Sequence, residues 1–161
     1  MILLKFKTEI KGDSTVEKHK DWITIDSIQM GVGRAITASG GGQDRETSNP
    51  SFSEMTFSKG MDKASTELMM QATCGKSLGE ATIHFIQTGG ADAKGQHYLE
   101  YILTHPIVSS YSVSSGGDRP GESFSLNFSG FKQQFNVFKD GKTVVKGEKK
   151  GWDLEKNQQA K

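Results

Sequence analysis

Phe124, Leu126 and Phe128 alternate with Ser125, Asn127 and Ser129. An apolar–polar period of two describes a strand with one face in a core and the other in water. Shorter versions of this pattern run through Ile2–Lys7, Trp22–Asp26, Ser53–Lys59 and Glu80–Gln87. Met55 and Phe57 share a face in the third of these, Ile83 and Phe85 in the fourth. Further strands are expected over Tyr98–Thr104 and, once Pro106 has broken the ladder, over Ile107–Val113. Twice the phase flips inside one extended segment. Ile23 and Ile25 give way beyond Ser27 to Ile28, Met30 and Val32, and the 124–128 alternation gives way at Gly130 to Phe131, Phe135 and Val137. Such a flip sends the apolar side chains to the other face, so each marks a bulge or a barrel corner. Asp140-Gly141, between Phe135–Lys139 and Lys142–Val145, suits the positive φ angles of a type I′ hairpin turn.

One helix interrupts the strands, over about Lys63–Cys74. Asp62 suits its first turn and Gly75 a left-handed stop. Ala64, Leu68, Met69 and Ala72 form a narrow apolar stripe, which places Leu68, Met69 and Ala72 in the core. Many short strands with one helix predict a mainly β fold: a small antiparallel β-barrel built from two sheets, with the helix on its flank. Residues 1–161 show no linker and no internal repeat, so one domain is expected.

Charge excludes some partners. Twenty basic residues nearly cancel nineteen acidic ones, for a net charge of +1, and apart from Lys146–Lys150 they are scattered. Neither nucleic acid nor an anionic membrane finds a field to bind. The start, Met1-Ile2-Leu3-Leu4-Lys5, reaches a charge too soon for the roughly 7–15 apolar residues of a Sec signal, and nothing approaches the roughly 20 of a membrane helix. The lone Cys74 forms no internal disulfide, in keeping with a reducing cytoplasm.

Catalytic patterns are not found. His19, His84, His97 and His105 lack metal-ligand spacing and read as surface or half-buried strand residues, so no metal and no cofactor is expected. Cys74 falls at the carboxyl end of the helix, where the dipole disfavours a thiolate. Gly31-Val32-Gly33 and Gly40-Gly41-Gly42 complete neither a dinucleotide fingerprint nor a phosphate loop, and Ser27, Ser109 and Ser110 lack a nucleophile elbow. The expectation is that the chain is not an enzyme.

Three ordered stretches carry a resemblance. The first runs from Phe57-Ser58-Lys59-Gly60-Met61-Asp62-Lys63-Ala64-Ser65 through Leu68-Met69-Met70 to Cys74-Gly75-Lys76. The second joins Ile107-Val108-Ser109-Ser110-Tyr111-Ser112-Val113, the loop Gly116–Glu122, and Leu126-Asn127-Phe128. The third is Lys149-Lys150-Gly151-Trp152-Asp153-Leu154. In this order and spacing they resemble the haemolysin-coregulated protein (Hcp) family, the inner-tube subunit of type VI secretion.

The resemblance implies a subunit that closes head-to-tail into hexameric rings. The rings stack into a hollow tube, which leaves the cell on sheath contraction with small effectors in its lumen. It implies the sheath, spike and baseplate proteins as partners, a cytoplasmic location before firing, and secretion without a Sec signal afterwards. Asp44, Arg45 and Glu46, on the glycine-rich Ala38–Pro50 loop, are candidates for ring stacking. Ser109, Ser110, Ser112 and Ser114 are candidates for a lumen or a subunit interface. The alternative is a monomeric secreted β-barrel that binds a small ligand, with glycine loops as its mouth.

Overall fold

The computed structural model describes residues 1–38, 45–87, 96–139 and 143–160. In chain order the strands begin with β1 (Ile2–Phe6), β2 (Ile23–Ile25), β3 (Ser27–Gln29), β4 (Val32–Gly33) and β5 (Ile36–Ala38). They continue with β6 (Arg45–Thr47), β7 (Ser51–Phe52) and β8 (Met55–Gly60), and helix α1 (Ser65–Cys74) follows. Beyond it lie β9 (Glu80–Ile86), β10 (His97–Thr104), β11 (Ile107–Ser114), β12 (Gly121–Asn127), β13 (Gly130–Lys139), β14 (Thr143–Asp153) and β15 (Gln158–Ala160).

Two antiparallel sheets share one core. The larger has seven strands in the order β15-β14-β13-β10-β9-β1-β2, the smaller four in the order β11-β12-β8-β3. Leu4, Ile23, Ile83 and Leu103 from the first meet Phe57, Val108, Phe124 and Leu126 from the second, with Leu68 of α1 in the same cluster. Phe57 and Phe124 stack at 4.9 Å between ring centres.

Both phase flips are places where the chain changes sheet. Ile23 and Ile25 are buried in the large sheet, and one residue later β3 pairs with β8 in the small one. At the second flip the chain leaves β12 and enters β13, which returns to the large sheet. Phe131 is buried as its phase predicts, but Phe135 and Val137 are 58% and 54% exposed. A register shift between Gln134 and Asn136 puts Asn136 inward instead, and its amide accepts from Gly147 N–H. Gly147 is required there: an added Cβ would stand 2.0 Å from the Phe135 carbonyl oxygen. The Asp140-Gly141 turn lies outside the described residues, while the strands it joins pair Lys139 with Thr143.

The helix ends as the sequence predicts: Gly75 adopts φ +63° and returns its N–H to Gln71 O. Asp62 stands just before it and accepts the Ala64 N–H at 2.9 Å. Leu68 is fully buried, and Ala72 is partly buried against the core. Met69 is not a core residue. It is 48% exposed, and Ser65 holds the inward position that a binary apolar pattern gives to it. Ser65, Leu68 and Ala72 follow i, i+3, i+7 spacing along one face, and Met69 lies about 100° round from Leu68. A serine is tolerated inside because its hydroxyl donates to the buried Glu122 carboxylate.

Candidate functional site

The four candidate serines all stand exposed on β11, the edge strand of the small sheet. Register extends them into rows. Ser112 pairs with Ser123, Ser123 with Ser58, and Ser58 with Ser27, one hydroxyl from each of the four strands. The outer pairs are bonded, Ser112 to Ser123 at 2.8 Å and Ser27 to Ser58 at 2.6 Å. Two residues along, Ser110, Ser125, Thr56 and Gln29 make a second row. Ser109 occupies a register shift between Val108 and Ser110 and donates to Glu54 Oε2 at 2.8 Å. The outer face of this sheet therefore carries two rows of uncharged polar groups, with the Glu54 carboxylate beside Ser109. Ser27, Ser58 and Ser123 are not candidates for this face from the sequence, because only pairing register reveals a row.

The segment between β3 and β8 is an arm rather than a plain loop. β4 pairs with β7 and β5 with β6, in two small antiparallel ladders. Glu46 sits exposed on β6, opposite Thr37. Arg45 opens that strand, but its side chain and Asp44 lie outside the described residues. Val32 and Ile36 are 59% and 61% exposed along the arm. A second apolar patch, Phe135, Val137 and Val145, is exposed on β13 and β14.

Behind the serine face lies an ionic network. Lys59 and Glu122 are directly paired on β8 and β12, and their parity is that of the core residues Phe57 and Phe124. Both side chains are wholly buried. Lys59 Nζ donates to Glu122 Oε1, to Asp62 Oδ1 at 2.8 Å and to Gly60 O at 2.9 Å. Ser65 Oγ donates to Glu122 Oε1 at 2.9 Å, and Tyr111 Oη donates to Glu122 Oε2 at 2.5 Å. The network fastens the start of α1 to the small sheet and compensates both buried charges.

Burial, and then the Glu122 carboxylate, push the Tyr111 hydroxyl up to about 12. An unfolded tyrosine ionises near 10. The unfolded chain therefore sheds this proton first, and the contribution, complete below pH 10, is lost as pH rises towards 12. An alkaline absorbance titration of the folded protein is expected to show a tyrosinate component near pH 12 that Tyr111→Phe removes.

A third cluster joins histidines far apart in sequence. His84 on β9 pairs with Glu100 on β10. His84 Nε2 stands 3.1 Å from Glu100 Oε1, while Lys149 Nζ donates to Glu100 Oε2 at 2.7 Å. His19 Nε2 lies 2.7 Å from His84 Nδ1, and the His97 ring stacks on His84 at 3.9 Å. Glu100 is held down at about 2 by the His84 hydrogen bond and then Lys149. Burial, then His84, lowers His97 to about 4, and the same causes lower His19. His84 and His97 are half-buried strand residues, as the sequence suggests, whereas His19 is buried in a turn, and their meeting is not visible in the sequence. Cys74 is exposed at the end of α1.

The two-sheet fold with one helix is that of type VI secretion proteins. A solved structure described as a type six secretion system protein superposes with TM-score 0.89 at 28% identity, over 99% of this chain and 98% of that one. Hcp1 from Salmonella typhimurium superposes with TM-score 0.77 at 26% identity, over 99% and 97%. In sequence, protein hcp1 of Pseudomonas aeruginosa is 33% identical over 114 residues, 66% of this chain and 67% of that protein. The model of the family described as "Type VI secretion system effector, Hcp" matches residues 3–135. The chain belongs to that family, and it is a tube protein of type VI secretion.

Proposed function

We propose that the protein closes into hexameric rings, that the rings stack into a tube, and that the tube carries small effectors out of the cell. The observation that carries the cargo role is the outer face of the small sheet. Two rows of hydroxyl and amide side chains cross all four strands without a charge among them. Rows of this kind wet easily and hold mostly short side chains, which leave a pore open and do not select a passenger by charge. It is the face assigned to the lumen.

A head-to-tail ring needs two unlike patches on each subunit. The arm with Val32 and Ile36, and the β13–β14 patch with Phe135, Val137 and Val145, are two such patches. Exposed apolar groups gathered in this way are characteristic of interaction surfaces. The arm also carries Asp44, Arg45 and Glu46, and the task of these three residues is ring stacking.

Reversing the charge at Arg45 tests that task. Arg45→Glu is expected to leave the thermal unfolding and ring mass unchanged and to shorten or abolish stacked tubes in electron micrographs. Equal tube lengths before and after the change would remove the arm from stacking. The lumen assignment is checked by Ser58→Arg with Ser112→Arg, expected to form rings that no longer co-purify with effectors. Undiminished co-purification would place the cargo face elsewhere.

A further inference from the structure

We propose that His84, His97 and Glu100 form a binding site for a divalent transition metal of the zinc class, with His19 as the residue that positions His84. The site is assembled by a bulge. In a regular strand, residues three apart such as His97 and Glu100 point to opposite faces. The register of β10 slips between His97 and Leu99, which brings both onto the face where β9 presents His84. One ligand atom from each of the three lies within 4.8 Å of the others.

The closest pair already has coordination spacing. His84 Nε2 and Glu100 Oε1 are 3.1 Å apart. Two donors about 2.0–2.1 Å from a tetrahedral zinc stand about 3.3–3.4 Å from one another. The His97 ring, parallel to His84 within 19°, must rotate to aim its lone pair at the same point. Room for this exists beside it, in a cleft of about 360 Å³ bordered by Trp22, Lys18 and Lys146. Gln96 Oε1 lines that cleft, buried and without a hydrogen-bond partner among the described residues, an acceptor placed for a metal-bound water.

Hydrogen-bond polarity gives an independent reason for a cation at His84. Glu100 accepts from Lys149 on its other oxygen, so its Oε1 faces His84 as a carboxylate acceptor, and His84 Nε2 must present it with a proton or another cation. With a proton there and a neutral ring, His84 Nδ1 is bare and must receive the hydrogen of His19 Nε2. His19 Nδ1 is then bare too, and faces the Glu17 carbonyl oxygen at 3.4 Å, acceptor against acceptor. A metal on His84 Nε2 reverses the chain. His84 Nδ1–H donates to His19 Nε2, and His19 Nδ1–H donates to Glu17 O. Histidine ligands are held in this way, through the nitrogen that does not touch the metal.

The turn that delivers His19 is built for it. Lys18 and Asp21 both adopt left-handed backbone, φ +68° and +64°, and neither is glycine. Such strain persists where surrounding contacts over-determine it. Here His19 N–H bonds to Val16 O, Trp22 N–H bonds to His19 O, and the His19 ring is edge-on to Trp22 at 4.6 Å. Two imidazoles, a carboxylate and an open position suit zinc, nickel or copper rather than magnesium or calcium. Lys149 remains on Glu100 Oε2 and is the charge a bound metal must tolerate. An imidazolium at His84 satisfies the same hydrogen-bond polarity without any metal, and the test separates the two.

The full chain, made without a polyhistidine tag and stripped with EDTA, is titrated with zinc chloride by calorimetry. One zinc per chain is expected, with a rise in the unfolding temperature. His97→Gln and Glu100→Gln should each weaken binding by about a hundredfold, and His19→Gln by about tenfold. His105→Gln, on the β10–β11 turn outside the cleft, should leave binding unchanged. X-ray absorption of the zinc-loaded wild type reads the site even where a variant fails to fold, and two imidazole ligands are expected. No zinc binding, binding undiminished in both ligand variants, or a zinc shell without imidazole would overturn the proposal. Ring and tube formation by the zinc-free protein is read separately by light scattering, so failure of this site leaves the tube reading standing.

Discussion

Leu68→Asp is expected to leave no soluble folded protein, while Met69→Asp, one residue further on, leaves yield and mass unchanged. Leu68 is wholly buried between α1 and the sheets, whereas Met69 is 48% exposed. Removing a buried leucine side chain costs about 2–5 kcal/mol. Placing an unpaired carboxylate in the same position costs several kcal/mol more, or forces it to take up a proton. Set against a total stability of about 5–15 kcal/mol, the sum is enough to empty the folded state. At Met69 the carboxylate is solvated, and an exposed helix substitution changes stability by about 0.5 kcal/mol. Soluble expression and circular dichroism of the two variants read this directly. Equal behaviour of the pair would show that the helix is rotated from its position here.

Lys59→Met should destabilise the protein by about 3–5 kcal/mol, the usual cost of leaving a buried ionic partner alone. Glu122 would keep its hydrogen bonds from Ser65 and Tyr111, and Asp62 its bond from Ala64 N–H, but two carboxylates would remain without their ammonium. The two wholly buried members can be removed together. Lys59→Met with Glu122→Leu is expected to recover much of the loss, because a buried pair replaced by apolar groups of similar size is often close to neutral. Urea unfolding of the single and double variants measures both numbers. A single variant as stable as the wild type would mean that water reaches the network.

The strands were legible because each buries one face, and period two records this without knowledge of the partner strand. The corners at Ser27 and Gly130 were legible for the same reason: a chain that changes sheet must exchange its inward and outward sides. What stayed hidden depends on residues distant in sequence. Lys59 has the parity of Met55 and Phe57, and Glu122 that of Phe124 and Leu126, so each reads alone as a misplaced charge. Only their pairing across β8 and β12 explains both. Met69 was misplaced by the same network, since Ser65 takes the inward position through its bond to Glu122. His19, His84 and His97 have no linear spacing to find, and a one-residue slip in β10 is what brings His97 to the cluster. The serine rows are similar. Alternation places Ser112, Ser123 and Ser58 outward, but only register aligns them with Ser27.

The tube reading is tested most directly by the mass and shape of the purified full chain. Light scattering coupled to size exclusion, with negative-stain images of the same peak, should find six chains of 17.6 kDa in a ring with an open centre. A strict monomer at high concentration, with no ring in the images, would contradict it.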